Sequence, residues 1–215
     1  MGRGVCCKIN VREFTPLPIA LAYAQATDLP LKGGGKKKRG DRAMMATAHP
    51  RLALRPFLPA DTAVLREIFR DSIEDLTADD YTPAQQEAWA STADDEAAFG
   101  KRLGSQLTLV GTLEGSPVGF ASLAGGSKID MLYVHSAAAG QGIGAMLIDA
   151  LEKLAGGRAA EKLVVDASDS ARGFFEKRGY VAQQRNTVSV GDEWLANTTL
   201  HKQLDKSVAA KREAS

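Results

Sequence analysis

Cysteine is almost missing from this chain. Its 215 residues include two, Cys6 and Cys7, which are adjacent. Neighbouring cysteines with no Cys-x-x-Cys partner exclude a disulfide framework and a zinc ribbon. Beyond residue 50 there is no cysteine, so no thiol nucleophile is available there. Histidine is equally scarce: His49, His135 and His201 lie far apart with no His-Glu-x-x-His spacing, and no metal site is expected. No apolar run reaches the roughly 18 residues that a membrane-spanning helix requires. No membrane partner is therefore expected, and the expected location is the cytoplasm.

What is present is ordinary globular composition, 44% apolar and 25% charged. That excludes collagen-like, coiled-coil and wholly disordered chains. The net charge of +1 conceals two unlike parts, since residues 1–50 carry +6 and residues 51–215 carry −5. This asymmetry reads as a basic extension on a mildly acidic domain.

Residues 1–50 contain Pro30 to Arg42, a stretch of glycine and positive charge that favours solvated coil over core. The run Lys36-Lys37-Lys38-Arg39 has the composition of a nuclear address or nucleic-acid patch. The acidic balance of the domain argues against nucleic acid as a partner. Residues 1–50 read as a disordered basic extension, residues 51–205 as the functional domain and residues 206–215 as a charged tail.

Within the domain, Leu52–Phe57 reads as a strand. Asp61 is placed to cap a helix bearing Val64, Leu65, Ile68, Phe69 and Ile73 at helical spacing. Thr82 and Pro83 have the N-cap and first-turn chemistry of a second helix, which carries Gln86 and Trp89. A third helix is expected over residues 94–103. Leu107–Leu113 and Val118–Leu123 form a hairpin through Glu114-Gly-Ser-Pro117, and Ile129–Val134 is a further strand. Helices follow over Gly142–Leu154 and Ser168–Arg178, separated by the strand Lys162–Asp166. Val181–Val190 and Trp194–Gln203 close the domain. This order predicts an α/β domain with a mixed sheet.

The stretch with the most chemical content is Tyr133-Val-His-Ser-Ala-Ala-Ala-Gly-Gln-Gly-Ile-Gly-Ala145. A strand ends, small residues follow, and a helix opens on glycines. The first amides of that helix lack intrahelical acceptors, and the helix dipole adds positive potential, so Gly140–Ala145 is expected to bind an anion, a diphosphate in particular. Gly140-x-Gly142-x-x-Ala145 formally matches a dinucleotide fingerprint, but the five residues between Val134 and Gly140 are too many for it. The absence of Gly-Lys-Ser/Thr excludes a Walker loop.

Ala139-Gly-Gln-Gly-Ile-Gly144 resembles the Arg/Gln-x-x-Gly-x-Gly/Ala signature of the GNAT superfamily of acetyl-CoA-dependent N-acetyltransferases. Ala139 departs from it at the first position. A second segment resembles the next β-α unit of the same family: Leu163-Val-Val-Asp-Ala-Ser168-Asp-Ser-Ala171-Arg-Gly-Phe-Phe175-Glu-Lys-Arg-Gly179-Tyr180. The two stand in the family's order and spacing, and similarity in element order runs from Leu52 to Leu204. Tyr81-Thr-Pro-x-Gln-x-x-x-Trp89 is similar to a YafP-like branch.

The resemblance implies a mostly antiparallel sheet of about seven strands, helices on both faces and a splayed central cleft, the acyl-CoA N-acyltransferase fold. It implies acetyl-CoA as co-substrate, no metal, and direct attack by a small-molecule or peptide amine in a ternary complex. The pantetheine arm would meet backbone at Leu132, Tyr133 and Val134, near a β-bulge. Amides of Gln141, Gly142, Ile143, Gly144 and Ala145 would hold the diphosphate. Ser168 would bond the arm, Ala171 would allow close approach, and Phe174 or Phe175 would pack at the thioester end. Many members carry a tyrosine acid where Phe175 stands and a glutamate base where Lys128 stands. Asp130 is then the candidate base and Tyr133 the candidate acid, each competing with an ordinary structural role. Tyr81 and Trp89 are candidates to line the acceptor pocket. The alternative is a non-catalytic acyl-CoA-binding or sensing domain. A homodimer through the C-terminal strands is the family's implied assembly.

Overall fold

A computed structural model describes residues 51–204. The expectations placed on residues 1–50 and on the C-terminal tail lie outside the described residues. Seven strands form one sheet in the order β1-β2-β3-β4-β5-β7-β6. They are β1 (Leu52–Pro56), β2 (Leu107–Leu113), β3 (Ser116–Ala124), β4 (Lys128–Val134), β5 (Lys162–Ser168), β6 (Val181–Val190) and β7 (Glu193–Gln203). Five helices accompany them: α1 (Thr62–Leu76), α2 (Pro83–Ala90), α3 (Glu96–Gly104), α4 (Ile143–Gly156) and α5 (Asp169–Lys177). Every pairing is antiparallel except β4 with β5. The mixed, mostly antiparallel sheet expected from the sequence is therefore present.

Local chemistry explains most element boundaries. Thr82 caps α2 by accepting from the Gln85 amide, and the Gln85 side chain returns the bond to the Thr82 N–H, a capping box. Asp95 caps α3 through the Ala98 amide at 2.9 Å. Glu114 and Gly115 both have positive φ, 51° and 87°, as a two-residue primed hairpin turn requires. The turn is tighter than expected, and β3 therefore starts at Ser116. Gln86 closes the carbonyl end of α1, its Nε2 donating to Ile73 O at 2.9 Å and Glu74 O at 3.0 Å.

Asp61 departs from expectation. It ends a single 3₁₀ turn with helical backbone, and its side chain makes no bond forward into α1. The carboxylate instead reaches back to the Leu58 amide at 2.8 Å and to both Arg55 guanidinium ends at 2.7 Å. That pair holds the Asp61 carboxyl below its ordinary value, chiefly through the Arg55 hydrogen bonds.

The sheet separates two cores. One face carries Leu109, Ala121, Ile129, Leu132, Val134, Leu163 and Val165 against Ile143, Leu147 and Leu151 of α4 and Phe175 of α5. The other carries Val110, Phe120, Met131 and Tyr133 against Leu65, Phe69, Trp89 and Phe99 of α1–α3. Each fully buried Leu, Ile or Phe contributes roughly 1.5–3 kcal/mol.

β4 changes parity along its length. Ser122 of β3 pairs with Met131, yet Leu123 pairs with Ile129. Asp130 is therefore the extra residue of a bulge. Such a residue bends its strand, and β4 leaves β5 at this point. Only Lys128↔Val164 and Ile129↔Val165 pair across the two parallel strands. Beyond this short seam a gap opens between them.

Candidate active site

Both strands bordering the gap run toward the same end, and each leads into a helix. β4 continues through His135 and one 3₁₀ turn, Ser136–Ala138, to α4. β5 passes directly into α5. The two helix starts differ. At α5, Ser168 Oγ accepts from the Ala171 amide at 3.2 Å, and Tyr81 Oη accepts from the Asp169 amide at 3.0 Å. At α4 the N-cap is Gly142, with φ 87° and no side-chain cap. The first helical bond runs from Met146 N–H to Gly142 O at 2.9 Å. Helix geometry leaves the amides of Ile143, Gly144 and Ala145 without intrahelical acceptors. A Cβ on Gly142 would meet nothing within 4 Å, so the backbone is open at that residue.

The seat of α4 depends on two glycines that sequence reasoning passed over. Gly111 of β2 and Gly119 of β3 are directly paired. A Cβ on Gly111 would lie 3.0 Å from Ile143 Cγ2, and one on Gly119 would lie 2.9 Å from Tyr133 O. Their bare backbone lets the first residue of α4 settle onto the sheet. Isolated glycines inside strand patterns were the available signal.

The loop before α4 is fixed from α1. Asp71 accepts from the Ser136 amide at 2.7 Å and from Ser136 Oγ at 3.3 Å. His135 Nδ1 accepts from the Ala137 amide at 3.1 Å, so it serves the loop.

The residues singled out from sequence are distributed as follows. Leu132, Tyr133 and Val134 form the end of β4 along the gap. Gln141 to Ala145 form the open helix start. Ser168 and Ala171 are fully buried at the β5–α5 junction, and Ser168 Oγ serves as the helix cap. Phe175 is fully buried, 5.1 Å from the Tyr180 ring, while Phe174 is half-buried beside Arg178. Tyr81 belongs to this region too: besides meeting the Asp169 amide, it donates to Ala196 O of β7 at 2.6 Å. Burial pushes its phenol well above the usual tyrosine value, so it stays a donor. Asp169 in turn holds both ends of the Arg185 guanidinium, at 2.6 and 2.8 Å, and raises its affinity for its proton.

The two candidate proton-transfer groups are enclosed. Asp130 is 5% exposed; its Oδ2 accepts from Arg102 Nε at 2.9 Å and Gln106 Nε2 at 2.7 Å. Tyr133 is 1% exposed, its ring 4.5 Å from Phe69 and stacked on Phe120 at 5.5 Å, its hydroxyl 3.3 Å from Trp89 Nε1. Trp89, also 1% exposed, anchors this aromatic core. Among the described residues no three His, Cys, Asp or Glu side chains converge in a metal-binding group, and no helix is long and apolar enough to cross a membrane.

Comparison with known proteins agrees with this geometry. A family model described as an acetyltransferase (GNAT) domain matches residues 77–196. The chain is 30% identical over 146 residues to the uncharacterised N-acetyltransferase YafP of Escherichia coli (strain K12), covering 68% of this chain and 92% of the relative. A GCN5-related N-acetyltransferase structure from Rhodopseudomonas palustris, described as "Aminotransferase, Class-II", is 64% identical, with a TM-score of 0.71 over 74% of this chain and 99% of that one. PaiA N-acetyltransferase from Thermoplasma acidophilum, solved in complex with coenzyme A, shares the fold at 16% identity, with a TM-score of 0.60 over 71% of this chain and 99% of its own.

Proposed function

The chain belongs to the GNAT acetyltransferase family and is an acyltransferase, and on that premise we propose that it moves an acetyl group from acetyl-CoA to a primary amine of a small molecule or peptide. The contrast between its two helix starts carries this reading. Thr82, Asp95 and Ser168 cap α2, α3 and α5 and a 3₁₀ turn leads directly into α1, which has no side-chain cap either, whereas α4 opens on a left-handed glycine without a side-chain cap at the mouth of the gap. Unpaired amides at a helix N-terminus suit phosphate oxygens. A diphosphate suits this start because glycine backbone allows close approach and the Cβ position of Gly142 is open. That one solved neighbour of the same fold holds coenzyme A supports the choice of ligand.

Acetyl-CoA supplies an activated thioester carbonyl. The chain supplies position. Amides of Gly142 to Ala145 hold the diphosphate, while that of Gln141 donates to Ala138 O at 3.4 Å. The backbone of Leu132, Tyr133 and Val134 borders the arm on one side, and Ser168 and Ala171 border it on the other. Phe174 and Phe175 give an apolar wall that excludes water. A β4 amide beside the bulge is suited to the developing oxyanion. Holding two reactants in register accounts for most of the expected acceleration.

Asp130 and Tyr133 are read here as structural. Asp130 ties the bulge to Arg102 and Gln106, and Tyr133 fills the aromatic core. Their enclosure, with phenylalanine at position 175, also favours a second reading, a domain that binds acyl-CoA without turnover. One experiment separates the two. Acetyl-CoA is expected to raise the melting temperature, and a panel of amines is expected to release free thiol from it. A thermal shift without thiol release selects the binding domain. No shift with acetyl-CoA or CoA overturns both.

A further inference from the structure

A second carboxylate stands where β4 and β5 part. Val164 and Val165 are the last β5 residues paired with β4, and Asp166 is the next. Leu163, Val165 and Ala167 point into the α4–α5 core, so Asp166 points to the opposite face. There its Oδ2 lies 3.0 Å from Lys128 Nζ, at the β4 side of the seam, and its Oδ1 accepts from Thr199 Oγ1 of β7 at 2.5 Å. His201 lies two residues further along β7, and the Asp130–Arg102 pair flanks the seam from β4.

The two carboxylates at the seam are held differently. The Asp130 side chain is 6% exposed and is gripped by a guanidinium, whereas the Asp166 side chain is 12% exposed and faces a lysine whose side chain is 36% exposed. A lysine ammonium on a flexible stem is easily exchanged for another cation, unlike a fixed guanidinium fork. Lys128 Nζ is itself a primary ammonium, so it shows that this carboxylate accepts one here. An acyl-CoA anchored at the α4 start and running down the gap brings its thioester end toward the same seam.

We propose that Asp166 receives the acceptor amine, which displaces the Lys128 ammonium, and takes its proton. This rests on the acetyl-transfer reading above. The acceptor enters as an ammonium ion and gives one proton to the Asp166 carboxylate. The freed nitrogen lone pair forms the C–N bond to the acetyl carbon. The C–S bond breaks with its electrons going to sulfur, and the second nitrogen proton passes to that sulfur, giving amide and CoA thiol. The acceptor class is a cationic primary amine.

The test uses the full chain, acetyl-CoA and two probe amines, ethanolamine and hydroxylamine. Ethanolamine is an ammonium ion at neutral pH, while hydroxylamine is already neutral and needs no base. Asp166→Asn is expected to keep the acetyl-CoA thermal shift and to lower the ratio of ethanolamine to hydroxylamine turnover about 100-fold, within the range of general-base catalysis. Lys128→Met leaves the carboxylate in place. It is expected to lower the KM for ethanolamine and to move the acid limb of the pH–rate profile upward, because loss of a neighbouring ammonium raises carboxylate proton affinity. An unchanged ratio in Asp166→Asn overturns the proposal, as does wild-type enzyme that binds acetyl-CoA but acetylates neither amine. If Asp166→Asn fails to fold, Lys128→Met decides: an unmoved KM and profile overturn the assignment. Absence of any acetyl-CoA shift in the wild type overturns the acetyl-transfer reading itself.

Discussion

On the α4–α5 face the sheet is covered by leucine, isoleucine and valine, and its chemistry lies in backbone: glycines, uncapped amides and close packing of α4 on Gly111 and Gly119. On the α1–α3 face a chain of rings, Phe69, Tyr133, Phe120, Phe99, Trp89 and Tyr81, fills the interior. Its polar side chains include the bonded set Asp166, Lys128 and Thr199. A shared ligand such as acetyl-CoA needs only generic backbone recognition. An acceptor needs particular side chains, and in the reading proposed above the two tasks fall on opposite faces.

If that division holds, the faces can be damaged separately. The largest effect is expected from Trp89→Ala, which empties the centre of the aromatic core and costs about 3–5 kcal/mol. Calorimetry should show a much lower melting temperature that acetyl-CoA still raises. A variant that melts low and no longer responds to acetyl-CoA would break the comparison. Next comes Gly142→Val. A branched side chain at φ 87° opposes the open helix start, and acetyl-CoA affinity is expected to fall about 100-fold, or about 2.7 kcal/mol, by isothermal titration. The aromatic face should survive, with near-ultraviolet circular dichroism unchanged.

The smallest effect concerns Asp61, which joins β1 to the entry of α1. Its folded-state carboxyl value is depressed by Arg55, so the contribution is present above the unfolded value, near 4, and fades as pH falls through the folded one. With screening at the partly exposed Arg55 taken into account, Asp61→Asn is expected to cost about 1 kcal/mol at neutral pH. The difference between mutant and wild type in urea titrations at pH 7 should narrow at a pH below about 4. An equal difference at both pH values would remove the ion pair from the account of the α1–α3 face.

The same division explains what the sequence disclosed. Gly140–Ala145 and Ser168–Tyr180 were legible because helix starts, glycine turns and caps are written in neighbouring residues. Thr82, Pro83 and Ser168 announced helices that form where expected. Asp61 misled because the 3₁₀ turn before α1 shifts its backbone out of capping geometry. The Lys128–Asp166 pair joins residues 38 apart, and Tyr81 meets Asp169 across 88. Such contacts follow from sheet order and from the parity change at Asp130, and no local pattern encodes either. Tyr81 and Trp89 stood out as motif residues, yet their hydroxyl and ring serve the α5 start and the core, which only tertiary contact reveals.

The two-residue seam makes this sheet a notched plate. Four strands lie on one side of the notch and three on the other, and the segment from Tyr81 through α2 spans it on one face, with Tyr81 and Gln85 bonded to Ala196 and Trp194 of β7 and Trp89 packed on Tyr133 of β4. A molecule lodged in the notch supplies cross-links that β4 and β5 do not make with each other. If acetyl-CoA lodges there as proposed, it is also a structural splice, and the two half-sheets are expected to be stiffest as one body while it is bound.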